Sequence, residues 1–595
     1  MKRVYGRMPL WITTVAAIAL CVTTIQAQVL DMVPSDALVV FRIKNLTEFN
    51  NNAAVLAKQW GLVEMAPQAA DPLGALFESG GITKGLERNS DAAIVLTNGD
   101  LDGAQPPILI LLPVADYAAF VGNFADAKKE GDLDVFSMTV KGEKEKESTY
   151  SANWGKYAAL SPVKELLAKK PDGFKATGAA AKELASKDAV TIVNFRVLGP
   201  KLDKKLKDHK DTILGDVEKN FTKDEKTAKH APLIKAVVNQ ALAMGEGFLA
   251  DSTAVALGFN LSQDGIGISI LADFKSDSYL GKSFSGMKGT DGPLLAGLPE
   301  AKYIFFGGSS TFGEEGKKMI QDLFRPIEAQ LATSGEELKP IIKMLDSMKQ
   351  MIAANKGQVI GLIAPTGALG AASLIQTVTI TQGDTKVLIA AQQQIMESQQ
   401  ELMALIPNQP KTKTSFTPNA KTIDGVSFTQ FTTKVSGDEG TAAQAEQIMA
   451  MMYGPNGATG YNGILDDQHM LTVLGLDDTM ISAAIKAARG NADSLSKQES
   501  VQRVTRNLPK NRMGVVFFDL GQLVTTATNY AKMMGMPIPI DIKPDLAPIG
   551  VTFGTDGPSI REDIFVPADL VEAMVTTSIK LRMMGAGGRG KPGGL

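Results

Sequence analysis

The sequence predicts an α+β fold of two tandem related halves, each a mostly antiparallel sheet packed with helices, and three observations carry that prediction. First, a short opener, Pro34-Ser35-Asp36-Ala37, precedes an apolar run, and variants recur as Lys187-Asp188-Ala189, Pro299-Glu300-Ala301 and Pro509-Lys510-Asn511. Second, strand pairs joined by turns rich in Gly and Asp follow the openers, at 91–97 with 107–113, 253–260 with 266–274, and 548–553 with 558–566. Third, each half then places a strand before a polar helix start, Lys156-Tyr157-Ala158-Ala159-Leu160 before Ser161 and Met470-Leu471-Thr472-Val473-Leu474 before Asp477. Period repetition of this kind marks a duplicated packing unit.

Taken in order, the chain begins with a stretch that reads as an export leader, residues 1–27. Lys2, Arg3 and Arg7 precede an apolar segment at 10–22, and Ile25-Gln26-Ala27 is a cleavage site of small-residue type. At 13 residues that segment is shorter than a membrane span. Leu20 before Cys21 lacks the small residue that lipid attachment needs, so Gln28 is expected to begin the mature chain. Cleavage moves the formal net charge from -3 to -6, because three cations leave and no acid does. An acidic chain without a basic face argues against nucleic acid as a partner. Cys21 is the only cysteine, so the mature chain would have no disulfides and would rely on apolar burial.

The first half is read as 28–290. After the opener, the run to Ile43 does not alternate cleanly, which predicts a strand buried on both faces and central in its sheet. Asn45 is placed to cap a helix whose Phe49, Ala53, Leu56 and Trp60 share one side, with Gly61 as the stop. Asp116, Asp277 and Asp569 are each read as the N-cap of the helix that follows a strand pair. Residues 201–244 are charged with mixed sign and predict a solvated pair of helices.

The second half is read as 291–584. Residues 314–354 predict two amphipathic helices broken near Ser334-Gly335, with Leu338, Ile341, Ile342, Leu345, Met348 and Ile352 as the apolar stripe of the second. The segment 359–380 has no charge, but Pro365, Gly367 and Gly370 divide it into two strand-length pieces, so no transmembrane segment is expected in the mature chain. Residues 441–467 are read as an insertion carrying Met449, Met451, Met452, Tyr453 and Tyr461, and 585–595 as a disordered Gly-rich tail.

Several motifs invite chemistry and fall short of it. Ser161-Pro162-Val163-Lys164 has the Ser-x-x-Lys spacing of penicillin-binding enzymes without their Ser-Asp-Asn or Lys-Thr-Gly partners, and a helix cap explains it. Asn98-Gly99-Asp100-Leu101-Asp102-Gly103 begins like a calcium loop, but Leu109 stands where the bidentate Glu belongs. The run from Gly585 to Lys591 has phosphate-loop spacing, with Pro592 in place of the magnesium-binding hydroxyl. His209, His230 and His469 are the only histidines, too scattered for a usual zinc site. The clusters at Met449, Met451 and Met452 and at Met533, Met534 and Met536 could offer sulfur to Cu(I), though Met more often fills cores or adaptable contact surfaces. No catalytic, cofactor-binding or metal residue is therefore assigned.

The Pro-Ser-Asp-Ala opener, repeated with variation along an exported chain, resembles a family of uncharacterised secreted bacterial proteins of unknown function; the resemblance implies no activity and no site. The reading is an exported, non-enzymatic structural or binding protein of the bacterial envelope, in the periplasm or at the cell surface, whose partner is an envelope protein, glycan or lipid. Two alternatives stand beside it: a carrier of an apolar ligand such as lipid held between the halves, and a carboxylate-dependent hydrolase.

Overall fold

The computed structural model describes residues 28–99, 107–138, 147–222, 231–332, 338–365, 373–404, 411–436, 441–454, 457–490, 492–536 and 545–587. The expected leader, 1–27, lies outside them. In chain order the first ten strands are β1 (Val39–Ile43), β2 (Ala92–Leu96), β3 (Ile108–Pro113), β4 (Lys128–Glu130), β5 (Leu133–Met138), β6 (Glu147–Asn153), β7 (Tyr157–Ser161), β8 (Ala189–Val193), β9 (Ser252–Ser262) and β10 (Gly265–Phe274). The rest are β11 (Tyr303–Ser310), β12 (Asn355–Ile363), β13 (Gln376–Gly383), β14 (Lys411–Ile423), β15 (Val426–Ser436), β16 (Ala458–Asp466), β17 (His469–Leu474), β18 (Gly514–Phe518), β19 (Ile549–Asp556) and β20 (Ser559–Pro567).

The chain forms two compact units, the first from described residues of 1–207, 246–282 and 558–576, the second from those of 208–245, 283–557 and 577–595. In the first unit the sheet order is β4-β5-β6-β7-β3-β2-β1-β8-β9-β10-β20, antiparallel throughout. In the second it is β14-β15-β16-β17-β13-β12-β11-β18-β19, again antiparallel. From β4 to β9 and from β14 to β19 the order is the same, so the two halves are related by topology as well as by their openers. The four openers lead into β1, β8, β11 and β18, and these pair with one another as β1 with β8 and β11 with β18, at the middle of each sheet.

Alternation along the pleat gives the first unit two cores. Val40, Val95, Leu109, Leu111, Val190 and Ile192 face one side, with Val29, Val33, Ala180 and Leu184 over them. Ile43, Ala92, Ala158, Leu160 and Ala189 face the other, with Phe49, Phe77, Phe120 and Phe136. Phe124 and Phe136 stack at 3.8 Å, and Phe120 meets Phe124 edge-on at 5.8 Å. Each such fully buried side chain contributes about 1.5–3 kcal/mol by leaving water. β1 is thus central and covered on both faces, as its sequence predicts.

Local chemistry sets the helix starts. Asn45, at φ 48°, accepts from the amides of Thr47 and Glu48 at 3.1 and 3.2 Å, capping the helix Leu46–Gln59, and Gly61 ends it in the left-handed region. Asp116 caps the helix Tyr117–Val121 as expected, through Ala119 N at 3.0 Å. Asp277 and Asp569 do not cap. The helix Tyr279–Gly286 begins one position later, where Ser278 Oγ accepts from Gly281 N at 3.1 Å. β20 runs directly into the helix Ala568–Gly587, so Asp569 falls inside its first turn. That helix also includes residues 585–587 of the expected tail, whose remainder lies outside the described residues.

Asp477 accepts from Met480 N at 2.8 Å and caps the helix Asp478–Arg489. Replacing it with Ala should cost about 1 kcal/mol, read as a lower unfolding midpoint of the second unit. The charged segment after β8 forms the helices Phe195–Phe221 and Ala231–Asp251. The stripe at 338–348 packs as expected: Leu331, Leu338 and Leu345 are buried together, with Phe324, Ile327, Ile341, Ile342, Met348 and Leu233 against them. The helices on which they lie, Gly313–Leu331 and Lys339–Ala354, flank residues 333–337, which lie outside the described set. The reading of 441–467 as an insertion fails in its second part: 458–466 form β16, the counterpart of β6, and Tyr461 sits in the sheet between β15 and β17, whereas the helix Thr441–Tyr453 lies in the β15–β16 connection, which is longer than the β5–β6 one. Among the described residues no helix is long and apolar enough to cross a membrane.

Candidate functional site

The second unit's sheet has a face that is buried at one end and open at the other. Pairing across β11, β12, β13 and β17 puts Phe306, Gly361, Val378 and Val473 in one row, Gly308, Val359, Ile380 and Leu471 in the next, and Ser310, Gly357, Gln382 and His469 in the last. Rows two residues apart along a strand point to the same side. Phe306, Val378, Ile380, Leu471 and Val473 are buried, whereas Gln382 is exposed and His469 half-exposed. The apolar pattern therefore gives way to polar groups at the strand ends.

Glycines shape the opening. A Cβ on Gly308 would lie 1.7 Å from the carbonyl oxygen of Leu294, so only glycine lets the 290–298 segment cross the sheet this closely. Gly357 leaves the last row without a side chain between Ser310 and Gln382. Together with Ala488 at the end of the helix Asp478–Arg489, these elements enclose a groove of about 290 Å³. Leu294, Val359, Ile380 and Ala488 supply its apolar lining, and Thr290, Ser310, Lys356, Gln382 and His469 its polar one. Asp466 receives His469 Nδ1 at 2.9 Å. Burial alone would raise the Asp466 carboxyl, but the amide of Gln468 and the His469 ring outweigh it and hold the group below the ordinary aspartate range. Lys356 Nζ donates to Gln468 Oε1 at 2.9 Å.

A serine, a histidine and an aspartate thus line one region, but they do not form a nucleophilic triad. Ser310 and His469 are three strands apart in their row, roughly 14 Å at ordinary strand spacing, and Ser310 Oγ donates to Met513 O at 3.2 Å. The arrangement suits holding a small molecule by polar contacts at one end and apolar contacts at the other.

The first unit carries a different concentration of polar groups, inside its sheet. Arg42, 3% exposed, donates to Asp91 Oδ2 from Nε at 3.0 Å and from Nη2 at 2.7 Å, and its Nη1 donates to Leu184 O. Asp91 Oδ1 also accepts from Asn45 N at 3.0 Å. Lys44 Nζ donates to Ala185 O at 3.1 Å, so two cations serve the last turn of the helix Gly178–Ser186, where carbonyls lack partners. Asp188 is buried and pushed up to about 7, first by desolvation, with Lys44 opposing. Nearby, Arg561 forks onto Asp563 at 2.6 and 2.7 Å and lies 3.5 Å from the buried Glu183. Arg42, Asp91, Lys44, Arg561 and Asp563 are each met by a partner and hold elements in register, whereas Asp188 Oδ1 has none. A cleft of about 430 Å³ in the same unit is lined by Thr177, Gly178, Arg196, Asp273 and Lys275. Its helix start is already occupied, because Asp273 accepts from Ala179 and Ala180 N at 3.3 and 2.8 Å.

Ser161 is buried and its Oγ accepts from Val163 N at 3.0 Å, while Lys164 is exposed and reaches Glu130 at 3.5 Å, so the Ser-x-x-Lys spacing builds no dyad. Asn98 Oδ1 accepts from the Lys201 ammonium at 2.5 Å, a cation where a calcium ligand was considered, and residues 100–106 of that loop lie outside the described residues. His209 is on the helix Phe195–Phe221, His469 opens β17, and His230 lies outside the described residues, as do Gly588 to Pro592 of the phosphate-loop spacing. Met451, Met533, Met534 and Met536 are exposed, the last three by more than half, so they line surface rather than core. The groove was not foreseen; its available signals were Gly307-Gly308-Ser309-Ser310 and Lys356-Gly357, glycines within strand patterns, which mark close backbone approach.

No family model matches the chain, and no curated protein matches it. Among solved structures, crystal form I of TP0453 is 9% identical, with 48% of this chain and 98% of that one covered and a TM-score of 0.20. Crystal form IV of the same protein is 10% identical, with 48% and 96% covered and a TM-score of 0.21. A likeness this slight carries no information on fold or function.

Proposed function

We propose that this protein is an exported, non-enzymatic binding protein of the bacterial envelope. The observation that carries the binding part is the groove at the open end of the second unit's sheet, where an apolar floor meets converging polar side chains, the combination that ligand sites share. The export part rests on the leader-type composition of residues 1–27. Fractionation of cells producing the full chain should recover it outside the cytoplasm with Gln28 as its first residue. Recovery in the cytoplasm with Met1 or Lys2 at the terminus would overturn that part. For the binding part, native mass spectrometry of protein isolated from such cells should show a bound small molecule that an Ala488→Leu variant lacks; equal occupancy in the two would remove the groove from the account.

The carrier alternative is favoured over the carboxylate-dependent hydrolase by one feature: the groove's lining carries no aspartate or glutamate, so no pair of carboxylates meets there. The volume supports a small cargo rather than a lipid.

A further inference from the structure

We infer that the groove takes a small organic acid, with its carboxylate at the polar mouth and a short apolar body on the floor; this deepens the binding reading and rests on it. The sign of the ligand follows from the mouth. Lys356 is exposed there, and its partner is the neutral amide oxygen of Gln468, so its charge meets no carboxylate among the described residues. Asp466 engages Nδ1 of His469, which leaves Nε2 as the ring nitrogen able to meet a ligand, a donor whenever the ring is protonated. Gln382 and the hydroxyl of Thr290 add neutral hydrogen-bonding groups on the same lining. A cationic ligand would be repelled by Lys356.

Other classes fit less well. The lining has no arginine to fork onto a phosphate, and no Phe, Tyr or Trp ring on which a sugar could stack. About 290 Å³ is at the small end for ligand pockets, enough for a short chain and not for a long acyl tail. The floor of Leu294, Val359, Ile380 and Ala488 then favours an acid with a few carbons over a bare anion.

Calorimetric titration of the mature chain with hexanoate, hexanol and inorganic phosphate tests this. Hexanoate should bind, hexanol at least tenfold more weakly, and phosphate without measurable heat. Lys356→Gln should weaken hexanoate about tenfold, the loss of one charge-assisted contact, and leave hexanol unchanged. Ala488→Leu, which fills the floor, should weaken both. Unchanged thermal midpoints in the two variants would show that the fold is intact. Equal binding of hexanol and hexanoate, an unaltered Lys356→Gln, or no heat with hexanoate each overturns the organic-acid assignment. If hexanoate fails while native mass spectrometry still finds another molecule that Ala488→Leu loses, the ligand class falls and the groove stands; if that also fails, both fall.

Discussion

Replacing Asp91 with alanine is expected to destabilise the first unit by about 3–5 kcal/mol, because it strands the buried Arg42 guanidinium without its counter-charge. Arg42 is 3% exposed and cannot swing into water from the middle of β1, where it pairs with β2 on one side and β8 on the other. The same change removes the acceptor of Asn45 N and so loosens the start of the helix Leu46–Gln59. The cost belongs to the broken pair rather than to any intrinsic strength of the ion pair. A double variant, Arg42→Met with Asp91→Leu, should therefore recover most of the loss, since apolar side chains of similar size avoid the desolvation of both charges. Denaturant unfolding of the three proteins checks this. A single Asp91→Ala variant as stable as the parent would show that Arg42 is compensated by the Leu184 carbonyl alone.

Asp188 provides the second large effect, and its sign is the opposite of the usual one for a carboxylate. Its Oδ1 has no hydrogen-bond partner, and the groups facing it are Lys44 just after β1, the adjacent Lys187, Glu48 of the helix Leu46–Gln59, and Leu261 with Asn260 of β9. With its amide nitrogen turned toward the carboxylate, Asn260 donates to Asp188 Oδ2 at 3.1 Å. An acid whose folded pKa is raised stabilises the fold in its protonated form. That contribution is complete below the ordinary aspartate value of 3.8 and is lost as pH rises through about 7. The span corresponds to at most about 4 kcal/mol. Asp188→Asn should consequently be more stable than the parent at pH 8, by on the order of 2 kcal/mol after solvent and Lys44 relaxation, and indistinguishable from it at pH 4. The difference between the two proteins isolates this group from other titrating carboxylates. A constant difference from pH 4 to pH 8 would mean that Asp188 is ionised throughout.

Much of the scaffold was legible in the chain. The openers marked the central strands because a buried strand between turn residues leaves a local trace, and Asn45, Asp116 and Asp477 cap helices because capping needs only neighbours in sequence. Asp277 and Asp569 show the limit of that reasoning: whether an Asp caps depends on where the preceding strand stops, and the helices begin one residue later and two residues earlier than these caps would place them. Tyr461 reads as part of an insertion because Gly460, Asn462 and Gly463 interrupt the apolar alternation that marks a strand, although β16 pairs with its chain neighbours β15 and β17.

The candidate site was less legible still. Ser310, Gly357, Gln382 and His469 are spread over 160 residues of chain, and nothing in their local patterns distinguishes them. They share one face because four antiparallel strands fix their register, and hydrogen-bonded pairing, not proximity in sequence, sets that register. The charged cluster in the first unit follows the same logic: Arg42 reads as a break in an apolar run until Asp91 and Leu184 are brought to it. Local composition by itself determined the central strand runs, the caps at Asn45, Asp116 and Asp477, the recurrence of the openers and the leader-type segment, because those depend on short-range sterics and apolar periodicity. Which side chains meet, which charges are buried and where the sheet opens were decided only by tertiary pairing, because contacts between distant segments leave no record in either segment alone.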